Sequence, residues 1–286
     1  MTFIDFARSH GIEIDKLFPS DRIQRCGTTA KPKSTNGAYF WDGARGWVMD
    51  WADDTDIHWF GSGEKREWTD EEKRVWIEQK RAKELRQHRD WAEAAKRGQD
   101  LLGACELKTH YYLNSKGLPD VLGFVAEDVL VVPMRNFETN ALQGVQMIEW
   151  DAAERKYDKK MNWGMRAKGA VLRLGPKQAK ETFLAEGYAT GLSIEMACRQ
   201  LRLNAAVMVC FSASNMEYVA GKMSGRMFVV ADNDKSQTGE NAAKRIGAPY
   251  CMSEIEGEDA NDLHQRAGLL ALCSMLMNVR RECAVT

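Results

Sequence analysis

Two aspartates, Asp232 and Asp234, follow directly on an apolar, β-branched run in the stretch FVVADND. Alternate residues of an extended segment point the same way, so both carboxylates are predicted to face one side. Like charges held this close disfavour ionisation unless a cation neutralises them. The pair therefore indicates a cation site at the end of a strand. The competing interpretation is a helix cap or turn, the common role of an isolated Asp-x-Asp.

Further acidic groups follow two other predicted strands. Glu186 ends the stretch ETFLAEG, and EGEDANDLH contributes Glu258, Asp259, Asn261 and Asp262. Residues 246–263 contain neither Lys nor Arg, so no cation close in sequence neutralises these acids. Because the carboxyl ends of parallel strands meet at one edge of a sheet, we expect the three groups to lie together. Oxygen ligands without thiols favour Mg²⁺ or Mn²⁺.

From residue 181 onward, apolar strands alternate with helices over short links. The predicted strands lie in ETFLAEG, AAVMVCF, RMFVVAD and PYCMSE, with amphipathic stretches between and after them. Continuous apolar strands of this kind predict an α/β fold, with a parallel sheet covered by helices on both faces. In the loop FSASNM, Ser212, Ser214 and Asn215 either touch a substrate or serve as turn residues; the sequence leaves both open.

The segment before this sheet is locally basic in a nearly neutral protein. Residues 155–180 hold nine Lys and Arg and one acid, Asp158, whereas the whole chain has a net charge of −1. That imbalance predicts a polyanion-binding face. Strands such as VLVVPMR and LQGVQMIEW make residues 104–180 a basic α+β subdomain.

Two segments precede that subdomain. Residues 1–62 alternate aromatic residues with glycine-rich turns and predict a small β-rich module. One interpretation is that its aromatic residues form the core of the module, and the other is that they form a platform on which single-stranded bases stack. The two are compatible if one face is exposed. Residues 63–103 predict a charged helical connector. Because 11 basic and 10 acidic side chains between 64 and 100 nearly cancel, a nucleic-acid-binding arm is the less favoured interpretation.

The motifs AEGYATGLS and VVADND, in this order on these strands, resemble the Toprim domain of bacterial-type DNA primases, topoisomerases and some nucleases. The resemblance implies that Glu186 acts as acid or base in phosphoryl transfer and also contacts metal. It implies that Asp232 and Asp234 bind Mg²⁺ or Mn²⁺, and that Asp259 matches a further metal-binding aspartate.

The segment before the Toprim motifs resembles the basic subdomain of primases. That resemblance implies nucleic-acid or nucleotide contacts, to which we add two loop residues and a lysine beside the aspartate pair: Arg135, Lys160, Arg166, Lys168, Ser212, Asn215 and Lys235. Two positions depart from the primase pattern, since Thr190 and Asn261 stand where primases commonly carry aspartates. Both departures remove negative charge and imply either lower metal occupancy or fewer metal ions.

The chain as a whole resembles phage and prophage Toprim primases, with residues 1–62 in the place of a zinc-binding domain. Four close thiolate or imidazole ligands are needed for structural zinc, whereas this segment supplies Cys26, His10 and His58, so no zinc is expected. Seven cysteines without a CxxC pair and no apolar signal stretch predict a cytoplasmic protein with reduced thiols and no membrane partner.

The resulting expectation is a metal-dependent DNA primase that makes short primers on single-stranded DNA for phage or mobile-element replication. Its partners would be the template strand, nucleoside triphosphates and a separate replicative helicase. Two alternatives remain open. One is a Toprim nuclease that uses the same acids with water as nucleophile, and the other is a non-catalytic accessory protein that binds single strands.

Overall fold

The computed structural model of the protein describes residues 1–20, 22–51, 56–61 and 70–282, with backbone only for 70–73 and 282. The chain divides into two compact units, residues 1–78 and 79–286. The module boundary predicted at residues 62–63 lies outside the described residues and stays a prediction. None of the helices in the described ranges has the length and apolar composition needed to cross a membrane.

The N-terminal unit packs one helix against an antiparallel sheet. Helix α1 (Phe3–Ser9) precedes five strands paired in chain order, β1 (Ile12–Glu13), β2 (Gln24–Thr28), β3 (Gly37–Trp41), β4 (Gly46–Asp50) and β5 (His58–Phe60). Phe3 and Phe6 of α1 pack on Tyr39 and Val48 of the sheet, and the Phe3 and Trp41 rings stack with centroids 4.7 Å apart. The predicted β-rich module is confirmed.

The aromatic residues of this sheet divide between its two faces. Tyr39, Trp41 and Phe60 lie on the α1 side, whereas Phe40, Trp47 and Trp59 pair across β3, β4 and β5 on the other. Trp59 is 61% exposed. One face is therefore core and the other carries exposed aromatic surface, so the two interpretations are compatible. Base stacking stays a prediction.

A long charged helix follows, as the sequence predicts. Helix α2 (Asp70–Gly103) has 34 residues, most of them exposed. Its C-terminal part belongs to the second unit and packs there: Asn162 Nδ2 donates to the Ala94 carbonyl at 2.9 Å, and Arg97 donates to the Trp163 carbonyl at 2.8 Å. A Cβ at Gly98 would lie 3.3 Å from the Gly144 Cα, so two glycines permit this close approach.

One mixed sheet of ten strands spans the rest of the chain. Its first half is antiparallel and contains β6 (Glu106–Lys108), β7 (Gly123–Ala126), β8 (Val129–Asn136), β9 (Leu142–Asp151), β10 (Lys156–Met161) and β11 (Ala170–Leu174), with the short helix α3 (Tyr111–Ser115) after β6. Strand order along the main path is β10-β9-β8-β11-β13-β12-β14-β15.

The second half is parallel and is covered by helices. Its strands are β12 (Glu181–Ala185), β13 (Ala205–Val209), β14 (Arg226–Val230) and β15 (Tyr250–Cys251), and its helices are α4 (Tyr188–Gln200), α5 (Ala213–Ala220), α6 (Thr238–Ile246), α7 (Ala260–Ala267) and α8 (Leu269–Glu282). Phe183 packs toward α4 and α8, and the next residue, Leu184, packs toward α5 and α6. Both faces are therefore buried, which explains the continuous apolar strands.

Antiparallel pairing of β11 with both β8 and β13 joins the two halves. The parallel sheet expected as a separate body is therefore the second half of a mixed one. The division predicted at residues 180–181 falls between strands of a single sheet and stays a prediction.

Candidate active site

Four acids lie just after strands or before helices at the carboxyl edge of the parallel half-sheet. Glu186 follows β12 and precedes the N-cap of α4; Asp232 and Asp234 follow β14; Asp259 is the N-cap of α7. Their charges act on one another, because Asp259, Glu186 and Asp234 all raise the pKa of Asp232. The structure thus brings together the acids that the sequence grouped, here called the acidic edge.

Asp232 is the most perturbed of these acids. Its Oδ1 is buried and has no hydrogen-bond partner. Burial, followed by the charges of Asp259, Glu186 and Asp234, raises the pKa of Asp232 to about 7. A side chain at Gly239 would lie 2.7 Å from the Asp232 carbonyl oxygen, so glycine lets α6 start directly against this residue. An orphaned buried carboxylate oxygen is the group that a cation would satisfy.

Asp234 has the opposite environment. Its carboxylate accepts hydrogen bonds from Ser236 Oγ at 2.7 Å and from the Thr238 amide at 3.1 Å. The hydrogen bond from Ser236 is the main reason that the pKa of Asp234 is lowered, and backbone amides at the start of α6 add to it. The pKa values of Asp232 and Asp234 are therefore shifted in opposite directions, although the sequence predicted that both carboxylates face one side.

The environment of Glu186 is similar to that of Asp232 and differs from that of Asp234. Burial first, and the charge of Asp234 second, raise the pKa of Glu186, while Lys159 opposes the shift. Its carboxylate has no hydrogen-bond donor among the described residues. A raised pKa suits a carboxylate that takes up a proton during a reaction at neutral pH.

Asp259 is held in place by the fold. Its side chain accepts from the Asn261 and Asp262 amides at 2.7 and 2.9 Å, and Thr190 Oγ1 donates to it at 3.2 Å. Asn261 is fully buried and donates to the Lys116 carbonyl at 2.8 Å. The two neutral residues that depart from the primase pattern thus form hydrogen bonds that fix α4 and α7.

The acidic edge fits a hard divalent cation by its chemistry. Carboxylate oxygens are the ligands that Mg²⁺ and Mn²⁺ prefer, and Asp232 contributes an oxygen without any partner. Within the described ranges, no three His, Cys, Asp or Glu side chains already surround a common point. The residues that would hold the ion are Asp232 and Asp234, with Glu186 and Asp259 beside them.

Lys159 is a residue that sequence reasoning missed. It lowers the pKa of both Asp232 and Glu186, so its charge acts on the acidic edge, and its Nζ lies 5.5 Å from the centroid of the Tyr112 ring. In the described part of the chain it has no ion-pair partner. Lys160, which the sequence favoured, is paired with Asp158 at 2.6 Å. Adjacent residues of β10 point to opposite faces, and that alternation was the available signal.

The other predicted residues differ in their contacts. Arg135 donates to the Asn140 carbonyl at 3.2 Å and closes the β8–β9 turn. Ser212 caps α5 by accepting from the Asn215 amide. Asn215 is buried and donates both amide hydrogens, to the carbonyls of Ala170 and Cys210, so its contacts are structural. Lys235 is exposed in the loop after Asp234.

Arg166 and Lys168 both line a groove formed by α2, the β8–β9 turn and α5. The acids of the acidic edge do not line it. Of the predicted nucleic-acid-binding residues, Arg166 and Lys168 therefore share this groove, which is separate from the acidic edge.

Residues 181–269 match the protein family described as Toprim domain. No curated protein sequence matches the chain. The solved structures it resembles include a chain from the bacteriophage T7 lagging-strand DNA polymerase with primase domains bound to an RNA/DNA hybrid and dTTP. The identity is 12%, coverage is 61% of this chain and 90% of that chain, and the TM-score is 0.40.

A second similar structure is the primase fragment of the bacteriophage T7 primase-helicase protein. Here the identity is 12%, coverage is 54% of this chain and 65% of that chain, and the TM-score is 0.37. The Toprim match covers the parallel half-sheet and all four acids of the acidic edge. The expected fold class, a Toprim-like α/β sheet preceded by a β-rich N-terminal module, is therefore confirmed.

Proposed function

We propose that this protein is a metal-dependent, primase-like nucleotidyltransferase that synthesises short primers on single-stranded DNA during phage or mobile-element replication. The observation that carries the proposal is the environment of Asp232. One of its carboxylate oxygens is buried without a hydrogen-bond partner, and burial and three further acids of the Toprim match raise its pKa. Lys159, which has no ion-pair partner among the described residues, lowers the pKa of two of these acids. This combination suits a reaction that brings phosphate oxygens and a divalent ion together.

In the proposed reaction, the 3′-hydroxyl oxygen of the growing primer attacks the α-phosphorus of a nucleoside triphosphate, and pyrophosphate leaves. Glu186, with its raised pKa, accepts the hydroxyl proton. Asp232 and Asp234 would hold a Mg²⁺ or Mn²⁺ ion, and the bound ion would neutralise charge that develops on the phosphates. The charge of Lys159, which acts on Asp232 and Glu186, would attract the triphosphate.

The proposed partners are a single-stranded template, nucleoside triphosphates and a separate replicative helicase. Arg166 and Lys168 have no acidic partner within ion-pairing distance among the described residues, so their charges are available to phosphates. Lys160, in contrast, is engaged by Asp158 and Glu149. We therefore expect Lys159 to contribute more to triphosphate binding than Lys160.

A non-catalytic role in binding single strands is the second candidate. It is favoured by Asp259, whose oxygens cap α7 and accept from Thr190, and by the neutral, buried Asn261. Because Thr190 and Asn261 are neutral, the site has less negative charge to attract a cation than it would have with aspartates at both positions. A protein of this kind would bind nucleic acid through its basic groove and leave the strand unchanged.

One assay separates the candidates. The protein is incubated with end-labelled single-stranded DNA, nucleoside triphosphates and Mn²⁺, with and without a replicative helicase. Primer synthesis gives new products that depend on triphosphates, a nuclease shortens the labelled strand, and an accessory protein does neither while still binding it. Asp232→Asn should abolish synthesis, and Asp120→Asn, at an exposed aspartate outside the acidic edge, should not. Full synthesis by Asp232→Asn would refute the proposal.

A further inference from the structure

The groove beside α2 has the size of a small-molecule site. Its cavity measures about 420 Å³, within the range of about 300–1,000 Å³ typical of ligand pockets. The residues that give it chemical character come from four segments: Trp91, Phe137, Gln143, Arg166, Lys168 and Tyr218. All of them belong to the second unit.

Two cations lie over aromatic rings in the walls of this groove. The Arg166 guanidinium carbon is 5.0 Å from the centroid of the Trp91 ring, and Lys168 Nζ is 4.5 Å from that of Tyr218. Each pair combines a flat aromatic surface with a positive charge. Nucleic-acid bases stack on aromatic rings and on guanidinium planes, and phosphates bind the charges.

Gln143 adds a polar atom without a partner. Its side-chain amide donates to the carbonyl of Arg166 at 2.6 Å and to that of Lys168 at 3.3 Å, which fixes its orientation. Its Oε1 is then buried and has no hydrogen-bond partner. Buried acceptors are normally satisfied. A ligand that carries an N–H donor beside an aromatic ring would supply the missing hydrogen bond.

We propose that this groove binds one nucleotide, with its base stacked against the aromatic–cation pairs, an N–H of the base donating to Gln143 Oε1, and its phosphate near Arg166 and Lys168. The nucleotide is either a unit of a single strand or a free nucleoside triphosphate. Glu138, also in the lining, is an acid that disfavours a highly charged triphosphate. A unit of a single strand carries one phosphate charge, so the template is the favoured source.

This inference deepens the proposed function, on which it rests for the source of the nucleotide. Its test needs no catalysis. The full-length protein is mixed in EDTA with a fluorescently labelled single-stranded oligonucleotide that contains 5-bromouracil, and binding is followed by anisotropy at several salt concentrations. Irradiation followed by peptide mass spectrometry identifies the cross-linked residue. Unlabelled nucleoside triphosphate is the competitor that distinguishes the two sources.

We expect cross-links at Trp91, Phe137 or Tyr218. Arg166→Gln and Lys168→Gln should each reduce the slope of log affinity against log salt by about 0.7, whereas Lys222→Gln, at an exposed lysine outside the groove, should not. Trp91→Leu should weaken binding about tenfold with an unchanged slope, because it removes stacking rather than charge. Thermal unfolding curves check that each variant is folded.

Efficient competition by triphosphate, with the same variants affected, would assign the groove to a free nucleotide. Cross-links confined to other surfaces of the wild-type protein would overturn the proposal even if a variant failed to fold. Equal effects of Lys168→Gln and Lys222→Gln would also overturn it. Asp232→Asn should keep the groove cross-links, so a failure of the catalytic proposal leaves this result unchanged and recognisable.

Discussion

Replacing Asp232 by asparagine should stabilise the metal-free protein, and the gain should grow with pH. The pKa of this carboxyl is raised from 3.8 to about 7 in the folded protein. Between those values the unfolded chain has lost the proton while the folded protein keeps it, so the folded state is progressively destabilised as pH rises. A difference of about 3 pH units corresponds to about 4 kcal/mol, fully expressed above pH 7.

Asparagine keeps the shape of the side chain and cannot ionise. It also buries an amide that lacks a partner, at a cost of about 1–3 kcal/mol, so the net change at pH 8 is smaller than the electrostatic gain. That cost does not depend on pH. The stabilisation by Asp232→Asn should therefore be roughly 2–3 kcal/mol greater at pH 8 than at pH 5.

Urea unfolding of the full chain in EDTA at pH 5 and pH 8 measures this difference. Asp234→Asn is the matched control, because the pKa of Asp234 is lowered by its hydrogen bonds. Its contribution to stability is present above pH 3.8 and lost below it. The Asp234 variant should accordingly be less stable than wild type at both pH values, by a similar amount. Millimolar Mg²⁺ at pH 8 should stabilise wild type and leave Asp232→Asn unchanged.

An equal effect of Asp232→Asn at pH 5 and pH 8 would refute the reasoning, since it would mean that the carboxylate ionises normally in the folded protein. Stabilisation of Asp232→Asn by Mg²⁺ equal to that of wild type would show that the ion binds elsewhere.

Three other outcomes are expected. Lys159→Gln should raise the KM for nucleoside triphosphate in primer synthesis about tenfold, because it removes a charged contact to phosphate, whereas Lys160→Gln should change it little; equal effects would contradict the assignment. The double change Asp232→Asn with Asp234→Asn should abolish metal-dependent chemistry in a protein that still unfolds cooperatively, and activity in that variant would exclude these acids. Elemental analysis should find no stoichiometric zinc, and strong chelation should leave residues 1–62 folded, so the near-ultraviolet circular dichroism of the protein should not change; one zinc per chain would disprove this.

The acidic edge was predictable from the sequence because the geometry of a parallel sheet is general. Once the apolar stretches are taken as buried parallel strands, their carboxyl ends must meet, and Glu186 and Asp232 follow two of those ends. The N-terminal sheet was predictable for a similar reason, since aromatic runs between glycine-rich turns indicate antiparallel strands. Which aromatic residues face the core depends on the register of the strands. That register, including the pairing of Trp47 with Trp59, is visible only in the structure.

The features that sequence reasoning missed depend on contacts between distant segments. Lys159 and Lys160 are adjacent and identical in type, and only the position of β10 relative to α3 decides that Lys159 lies over Tyr112. Asn215 was grouped with possible substrate contacts because it follows a strand, whereas its amide links α5 to β11. No sequence pattern singles out Gln143, because its importance lies in a side-chain oxygen that the fold buries in the wall of a groove without a hydrogen-bond partner.

The four acids of the acidic edge divide into two pairs with different roles. Asp234 and Asp259 accept hydrogen bonds from the first turns of α6 and α7, so their oxygens are partly committed to the fold. Asp232 and Glu186 keep carboxylate oxygens without donors, and burial raises the pKa of both. In the proposed metal site, a proton and a divalent cation would therefore compete for the Asp232 carboxylate. Cation binding would release that proton below about pH 7, so we expect the affinity for the ion to rise over the pH range in which the metal-free fold loses stability.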